Sequence, residues 1–204
     1  MTRIIAGAAG GLRLATPGGA GTRPTSDRVR EALFSRLDHL DAIVGAHVLD
    51  LYAGSGALGL EALSRGAADV VLVESARRAA DLARRNGRLV EGSAAGGDRG
   101  DRSERGEVGT ERRVQVRAEP VLRYLGGQAS PVDLAFLDPP YDLSEAELGR
   151  VLAALVAHPN PGALVVVERS TRSPEPDWPT NGPGLRRSDA RRYGETCVWF
   201  AELR

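Results

Sequence analysis

The 204-residue sequence contains no lysine, so all 27 of its basic side chains are arginines. An arginine guanidinium is planar, permanently charged and well matched to phosphate groups and guanine edges. Cysteine is nearly absent as well, because Cys197 stands alone and cannot form an internal disulfide. The three histidines are scattered without the spacing of metal ligands, so we expect no metal site.

The sequence also lacks a net charge and any long apolar run. Its 27 acidic side chains cancel the basic ones, so contact with a nucleic acid would need a local patch rather than a global field. No segment approaches the ~18 apolar residues of a membrane span, and the stretch at 4–6 is interrupted too soon for a signal peptide. We therefore expect a cytoplasmic monomer that does not contact membranes.

Strand and helix patterns alternate along most of the chain. Apolar runs typical of buried strands are found at 48–52, 69–74, 132–137 and 163–168, and a further strand is predicted at 114–117. Helices are predicted between and after them, at 60–65, 75–89, 120–125 and 144–157, and a final hairpin is predicted from 185–192 and 197–203. This order predicts an α/β fold with a doubly wound, mostly parallel, seven-stranded Rossmann-like sheet and an antiparallel C-terminal edge hairpin.

Residues 1–21 differ from the rest, because short apolar pieces alternate there with glycines and predict a small N-terminal β-hairpin extension. Arg3, Arg13 and Arg23 all precede Asp27, the first acidic residue. A basic, glycine-rich ribbon is typical of an RNA-contacting arm, although a poorly ordered leader fits the same composition. We assign residues 1–21 to this arm and residues 22–204 to the main domain.

Two further segments carry expectations about burial and order. A helix opens near Asp27 and has one apolar face, formed by Val29, Leu33, Leu37 and Leu40. That face leaves Arg28, Arg30 and Arg36 to solvent. Residues 92–112 contain Val108 as their only large apolar side chain, so they predict a disordered insertion.

A glycine pattern, Gly54-x-Gly56-x-x-Gly59, lies between a predicted strand and a predicted helix. Glycines in this position let the backbone approach a nucleoside, and Glu74, at the end of the next strand, can accept hydrogen bonds from ribose hydroxyls. A nicotinamide dinucleotide and S-adenosylmethionine both fit. Asp50, just ahead of the glycines, favours S-adenosylmethionine, because its carboxylate can act on the positively charged methionine end.

Asp138-Pro139-Pro140-Tyr141 directly follows the strand at 132–137 and must end it, since neither proline has an N–H for the ladder. A carboxylate, a rigid carbonyl and an aromatic ring are left at the carboxyl edge of the sheet, where ligands bind in open α/β folds. Alone, the tetrapeptide could be an ordinary turn. Beside a cofactor turn, its carboxylate and the Pro139 carbonyl could hold an exocyclic amine while Tyr141 stacks on the base.

The stretches 3–7, 22–34, 49–67, 138–141 and 192–196, in this order, make the chain resemble class I methyltransferases, and more narrowly the bacterial 16S ribosomal RNA guanine-N2 methyltransferases of the RsmD type. The resemblance implies S-adenosylmethionine as methyl donor and one guanine of small-subunit RNA, in a partly or fully assembled particle, as acceptor. It implies a cofactor site formed by Asp50, Tyr52, Ala53, Gly54, Ser55, Gly56, Glu74 and Ser75. Glu119 is the nearest candidate for the acid that often holds the adenine in this family. The implied catalytic residues are Asp138, Pro139, Pro140 and Tyr141.

Other functions stay open on the sequence alone. The same tetrapeptide suits methylation of adenine N6 in DNA, of cytosine N4 and of a protein glutamine amide, because each is a planar amine. A non-catalytic nucleoside-binding module that docks on RNA is an alternative from another class, and a dehydrogenase is a distant third. Only the N-terminal part of the resemblance selects ribosomal RNA.

Overall fold

The structure is a computed structural model that describes residues 2–16, 27–97, 113–127, 131–180 and 182–204. Its helices are α1 (Asp27–His39), α2 (Ala57–Ser64), α3 (Arg77–Gly97), α4 (Val121–Leu125) and α5 (Glu145–Leu155). Its strands are β1 (Thr2–Arg3), β2 (Arg13–Leu14), β3 (His47–Leu51), β4 (Asp69–Val73), β5 (Val114–Arg117), β6 (Val132–Leu137), β7 (Pro159–Ser170), β8 (Leu185–Tyr193) and β9 (Thr196–Leu203).

Seven strands form one sheet in the order β5-β4-β3-β6-β7-β9-β8, and β1 pairs with β2 separately. Strands β3 to β7 are parallel to one another, whereas β9 runs antiparallel to both β7 and β8. The chain moves outward from β3 to β5 on one side and from β6 to β8 on the other. The sheet therefore has its topological switch point between β3 and β6, and the predicted fold class is confirmed.

Helices cover both faces of the sheet and bury two aliphatic clusters. The first cluster lies under α1, α2 and α3 and includes Phe34 against Phe136, with ring centroids 5.7 Å apart. The second lies under α4 and α5 and includes Leu148 and Leu152. Helix α5 starts with a capping box in which Ser144 and Glu147 exchange hydrogen bonds, as predicted for a helix beginning at 144.

The N-terminal hairpin (residues 2–14) packs against the sheet domain through buried side chains. Ile4 and Leu14 belong to the first cluster. Glu61 of α2 is fully buried, and its carboxylate accepts the N–H groups of Ile5 at 2.6 Å and Ala6 at 3.1 Å. The predicted hairpin is confirmed, and a buried carboxylate ties its backbone to α2.

Arg30 corrects one prediction, because it is 2% exposed rather than solvated. Its guanidinium lies 3.0 Å from Asp27 and also donates to the carbonyl of Arg3. The long side chain reaches back under the N-terminal hairpin, and the ion pair and the carbonyl offset the loss of solvation. Leu40, expected on the apolar face of α1, lies just beyond the helix end and is 41% exposed.

The predicted disorder of residues 92–112 is wrong for its first part, since α3 continues to Gly97. Val90 is completely buried, and the carboxylate of Glu91 accepts the N–H of Val114 at 3.0 Å, so the helix contacts the sheet just before residue 92. Residues 98–112 lie outside the described residues. Among the described helices, none is both long and apolar enough to cross a membrane.

Candidate functional site

The switch point brings the two predicted motifs together. Leu51 at the end of β3 is paired with Leu137 at the end of β6. The next residues, Tyr52 and Asp138, therefore leave the sheet side by side at its carboxyl edge. We call residues 52–59 the glycine turn and residues 138–144 the acceptor loop.

Backbone hydrogen bonds and one carboxylate hold the glycine turn. The Ala53 N–H donates to Val73 of β4 at 3.0 Å, and the Gly56 N–H donates back to Ala53 at 2.7 Å. Glu74 accepts the Gly54 N–H at 2.9 Å through one oxygen and the Ala76 N–H at 2.7 Å through the other. The acid predicted to face the ribose thus also fixes the turn.

Two of the glycines are required by close packing. Gly56 has φ +80°, and a Cβ there would lie 2.8 Å from a methyl group of Leu72. At Gly59 a Cβ would lie 2.6 Å from Leu72. Gly54 also has positive φ, but a Cβ there would meet nothing closer than the Tyr52 carbonyl oxygen at 4.0 Å. The turn is therefore closed toward the sheet and open on the side from which a nucleoside could approach.

Asp50 lies under the turn and is 1% exposed. Its carboxylate accepts the Gly59 N–H at 2.9 Å. Burial, together with the negative charge of Glu74, raises the pKa of Asp50 to about 7, although the Gly59 N–H opposes this change. A cation bound nearby would restore the ionised form, which suits the positively charged methionine end of S-adenosylmethionine.

Three other predicted cofactor residues, Tyr52, Ser75 and Glu119, follow three different strands of the sheet. Tyr52 is half-buried with φ 63°, an uncommon value for a residue with a side chain, and packs on the second cluster. Ser75 is exposed immediately after β4. Glu119 follows β5 and lies 3.6 Å from Arg123 in an ion pair. It therefore stands at the carboxyl edge, two strands away from β3.

Asn86 of α3 is a site residue that sequence reasoning missed, since no local pattern marks it. It is fully buried, and its amide donates to the carbonyl of Ser55 in the glycine turn at 2.9 Å. The same amide group donates to the carbonyl of Ala15 at 2.9 Å and accepts the Ala15 N–H at 3.0 Å. One side chain therefore connects the glycine turn to the end of the N-terminal hairpin.

Asp138 begins the acceptor loop and is half-buried. Burial, followed by the negative charges of Glu168 and Asp50, raises its pKa well above the usual value for a carboxyl group. Within the described ranges no group donates a hydrogen bond to its carboxylate. Its oxygens can therefore accept hydrogens from a ligand without first losing a protein partner.

The other three residues of the tetrapeptide that opens the acceptor loop are one buried and two exposed residues. Pro139 is buried and Pro140 is exposed, while Tyr141 is 66% exposed although it is a large aromatic. Arg169 of β7, 6% exposed, donates to the carbonyl of Leu143 at 3.0 Å and pairs with Glu145. This buried arginine ties the far end of the loop to the sheet.

The predicted RNA-contacting arginines are at the surface where the structure describes them. Arg3 is 65% exposed and lies 3.5 Å from Asp27, and Arg13 is exposed on β2. Arg23 lies outside the described residues, and so do residues 17–26 around it. Their role in RNA binding stays a prediction.

Residues 2–202 match the family described as Conserved hypothetical protein 95. The chain is also 35% identical to ribosomal RNA small subunit methyltransferase D of Haemophilus influenzae, over 84% of this chain and 80% of that protein. The chain belongs to the RsmD-type methyltransferase family.

Two further comparisons agree with this membership. Ribosomal RNA small subunit methyltransferase D of Escherichia coli K12 is 38% identical over 68% of this chain, a match that spans only 60% of the Escherichia coli protein. A hypothetical protein from Thermus thermophilus has a similar solved structure, with a TM-score of 0.76, 30% identity and 99% of each chain covered. The RsmD-type fold thus extends over nearly the whole of this chain.

Proposed function

We propose that this protein transfers a methyl group from S-adenosylmethionine to the N2 amine of one guanine in 16S ribosomal RNA, within a small-subunit particle during ribosome biogenesis. The observation that carries the proposal is the Asp138 carboxylate. It lies beside the glycine turn at the switch point and has no donor among the described residues. The names of the RsmD-type relatives support ribosomal RNA as the substrate class.

The residues of the glycine turn fit S-adenosylmethionine. A Cβ at Gly54 would meet nothing closer than the Tyr52 carbonyl oxygen at 4.0 Å, so a ligand can lie directly against the backbone. Glu74 keeps free lone pairs on its two oxygens for ribose hydroxyls, and Asp50 supplies negative charge under the turn. When bound, the cofactor supplies an electrophilic methyl group on a sulfonium.

The acceptor loop prepares a poor nucleophile. The lone pair of a guanine N2 amine is delocalised into the ring, so the amine must be oriented and polarised before it can attack. The Asp138 carboxylate and the Pro139 carbonyl each accept one amine hydrogen, which stabilises the positive charge that develops on the nitrogen. Tyr141 stacks on the flipped base, a contact typically worth ~1–3 kcal/mol.

Proton transfer completes the reaction. The amine nitrogen would take the methyl group that the bound cofactor supplies, and the sulfur would keep the electron pair of the carbon–sulfur bond. Asp138, or a water next to it, then takes one amine proton. Its raised pKa makes it a stronger base, so turnover should fall as the pH drops through that pKa and protonates the carboxylate.

The decisive experiment maps methylated nucleotides by mass spectrometry in small-subunit RNA from a strain that lacks this gene. One N2-methylguanine should disappear and should return when purified protein and S-adenosylmethionine are added to particles from that strain. An unchanged RNA, together with the loss of N6-methyladenine from the DNA of that strain, would favour a DNA adenine-N6 methyltransferase. Cofactor binding with no methyl transfer to any nucleic acid would favour a non-catalytic docking module.

A further inference from the structure

Strands β6 and β7 place a second carboxylate beside Asp138. Leu137 of β6 is paired with Val167 of β7, so Asp138 and Glu168 are the next neighbours in these parallel strands. Neighbouring strands lie ~4.8 Å apart, and residues two apart in a strand share a face. Asp138 and Glu168 therefore follow Phe136 and Val166 on the face of the sheet under α1.

The position of Glu168 is rigid. It lies inside β7 between two buried neighbours, Val167 and Arg169, and is paired across the sheet with Val198 of β9. Its side chain is half-buried, and its negative charge contributes to the raised pKa of Asp138, which places the two carboxylates within electrostatic reach of each other. Glu168 is also one methylene longer than Asp138, so it reaches further from the sheet.

A guanine whose N2 amine is held by the acceptor loop leaves one donor without a partner. Its Watson–Crick edge carries the two amine hydrogens and, next to them, the N1 hydrogen. Asp138 and the Pro139 carbonyl take the amine hydrogens in the proposed mechanism. A buried N1–H without an acceptor would cost ~1–3 kcal/mol, so a site that reads guanine needs a further acceptor beside Asp138.

We propose that Glu168 is a specificity-determining residue whose carboxylate accepts the N1 hydrogen of the target guanine. The inference rests on the proposed function and adds the choice of base to it. Adenine places a lone pair, not a hydrogen, on N1 next to its amine, and that lone pair would face a carboxylate. Glu168 thus discriminates against a base, such as adenine, that has a lone pair on the ring nitrogen next to its amine. Such a base loses the hydrogen bond to Glu168 and meets a repulsive contact in its place.

The test compares two bases at one position. Small-subunit particles are reconstituted with guanine or with 2-aminopurine at the methylated nucleotide, because 2-aminopurine keeps the C2 amine but has a lone pair at N1. We expect the wild-type enzyme to prefer guanine by ~100-fold or more in kcat/KM. The Glu168→Gln variant should lose at least a factor of about 10 of this preference, since an amide N–H can donate to the N1 lone pair.

Glu202→Gln is the matched control, because Glu202 lies on β9 and pairs with Arg186 at 3.9 Å, away from the acceptor loop. It should keep the wild-type preference, and the cofactor dissociation constant should stay unchanged in both variants. An unchanged preference in Glu168→Gln overturns the inference. If that variant does not fold, the wild-type measurement still decides, since a preference below about tenfold is incompatible with an N1–H acceptor. Failure of wild-type protein to methylate guanine at all would instead overturn the proposed function, and the inference with it.

Discussion

The glycine turn and the acceptor loop follow neighbouring strands of the same sheet, but the carboxylates at the two places differ in their hydrogen bonds to the protein. Next to the glycine turn, the carboxylates of Asp50 and Glu74 already accept N–H groups of the turn backbone at 2.9 Å. In the acceptor loop the Asp138 carboxylate has no donor from the described parts of the chain, and Tyr141 is 66% exposed.

This difference follows from what each half must do. Under the proposed function, the cofactor site needs a fixed backbone shape before binding, so we expect its acids to hold the turn as well as the ligand. An acceptor site must leave its oxygens available for the amine, so its rigidity comes from Pro139, Pro140 and the contact of Arg169 with Leu143. Substitutions at the glycine turn and in the acceptor loop should therefore impair different properties of the protein.

The largest expected effect is in the acceptor loop. Asp138→Asn should lower kcat for methyl transfer by ~10²–10⁴-fold, because the amide is neither a base nor a charged acceptor. Cofactor binding, measured by isothermal titration calorimetry, should change little. Asp142→Asn is the control, since Asp142 is exposed four residues later. If the Asp138 variant kept near wild-type turnover, Asp138 would not have the proposed role of amine acceptor and base.

A substitution in the glycine turn should first of all lower the free energy of unfolding. Gly56→Ala should lower the free energy of unfolding by ~2–3 kcal/mol, because the new Cβ combines φ +80° with a 2.8 Å approach to Leu72. Gly162→Ala has nearly the same φ, +81°, but meets nothing within 4 Å, so it should cost only ~1 kcal/mol. Equal losses in urea denaturation would show that packing under the turn is unimportant.

Stacking by Tyr141 can be separated from its hydroxyl. Tyr141→Ala should raise KM for small-subunit particles by about 5- to 150-fold, the equivalent of ~1–3 kcal/mol, and leave the free energy of unfolding unchanged because the ring is exposed. Tyr141→Phe keeps the ring and should behave like wild type. A Phe variant as defective as the Ala variant would assign the effect to the hydroxyl.

Glu74 should have a smaller effect that is confined to the cofactor. Glu74→Gln should weaken S-adenosylmethionine binding about tenfold, or ~1.4 kcal/mol, because the amide loses an acceptor and the charge. Glu91→Gln is matched to it, since the Glu91 carboxylate also accepts a backbone N–H, that of Val114 at 3.0 Å, outside the site. Similar cofactor affinity in the two variants would exclude a contact between Glu74 and the ribose.

The last expected effect, spread over about three pH units, is a dependence of stability on pH. The folded pKa of Asp50 is about 7 against an ordinary 3.8, so the folded state binds more protons than the unfolded state between these values. Stability of the protein without cofactor should therefore fall as the pH rises from about 4 to 7, with a slope below ~1.4 kcal/mol per pH unit. In Asp50→Asn this slope should be shallower. Identical slopes in urea titrations would mean that Asp50 stays ionised.

Most of the fold could be predicted because its signals are local. The bounds of β5 and β6 were correct to the residue. For β6 the reason is local, since a short apolar run ends there at Asp138-Pro139-Pro140. Helix α5 was predicted at 144–157 from its apolar period and is found at Glu145–Leu155. The error at Arg30 has another origin, because its burial depends on a contact with a distant segment, the N-terminal hairpin.

The sequence by itself determined the two motifs and the chemistry that each could perform, because glycine, proline and carboxylate act through their own backbone and side-chain properties. Only the tertiary structure decided which groups surround them. The pairing of β3 with β6 joins the glycine turn to the acceptor loop, Asn86 connects that turn to Ala15, and the pairing of β6 with β7 sets Glu168 beside Asp138. These neighbours are about 30 to 90 residues apart in the chain, and no local pattern records which strands of a sheet will be adjacent.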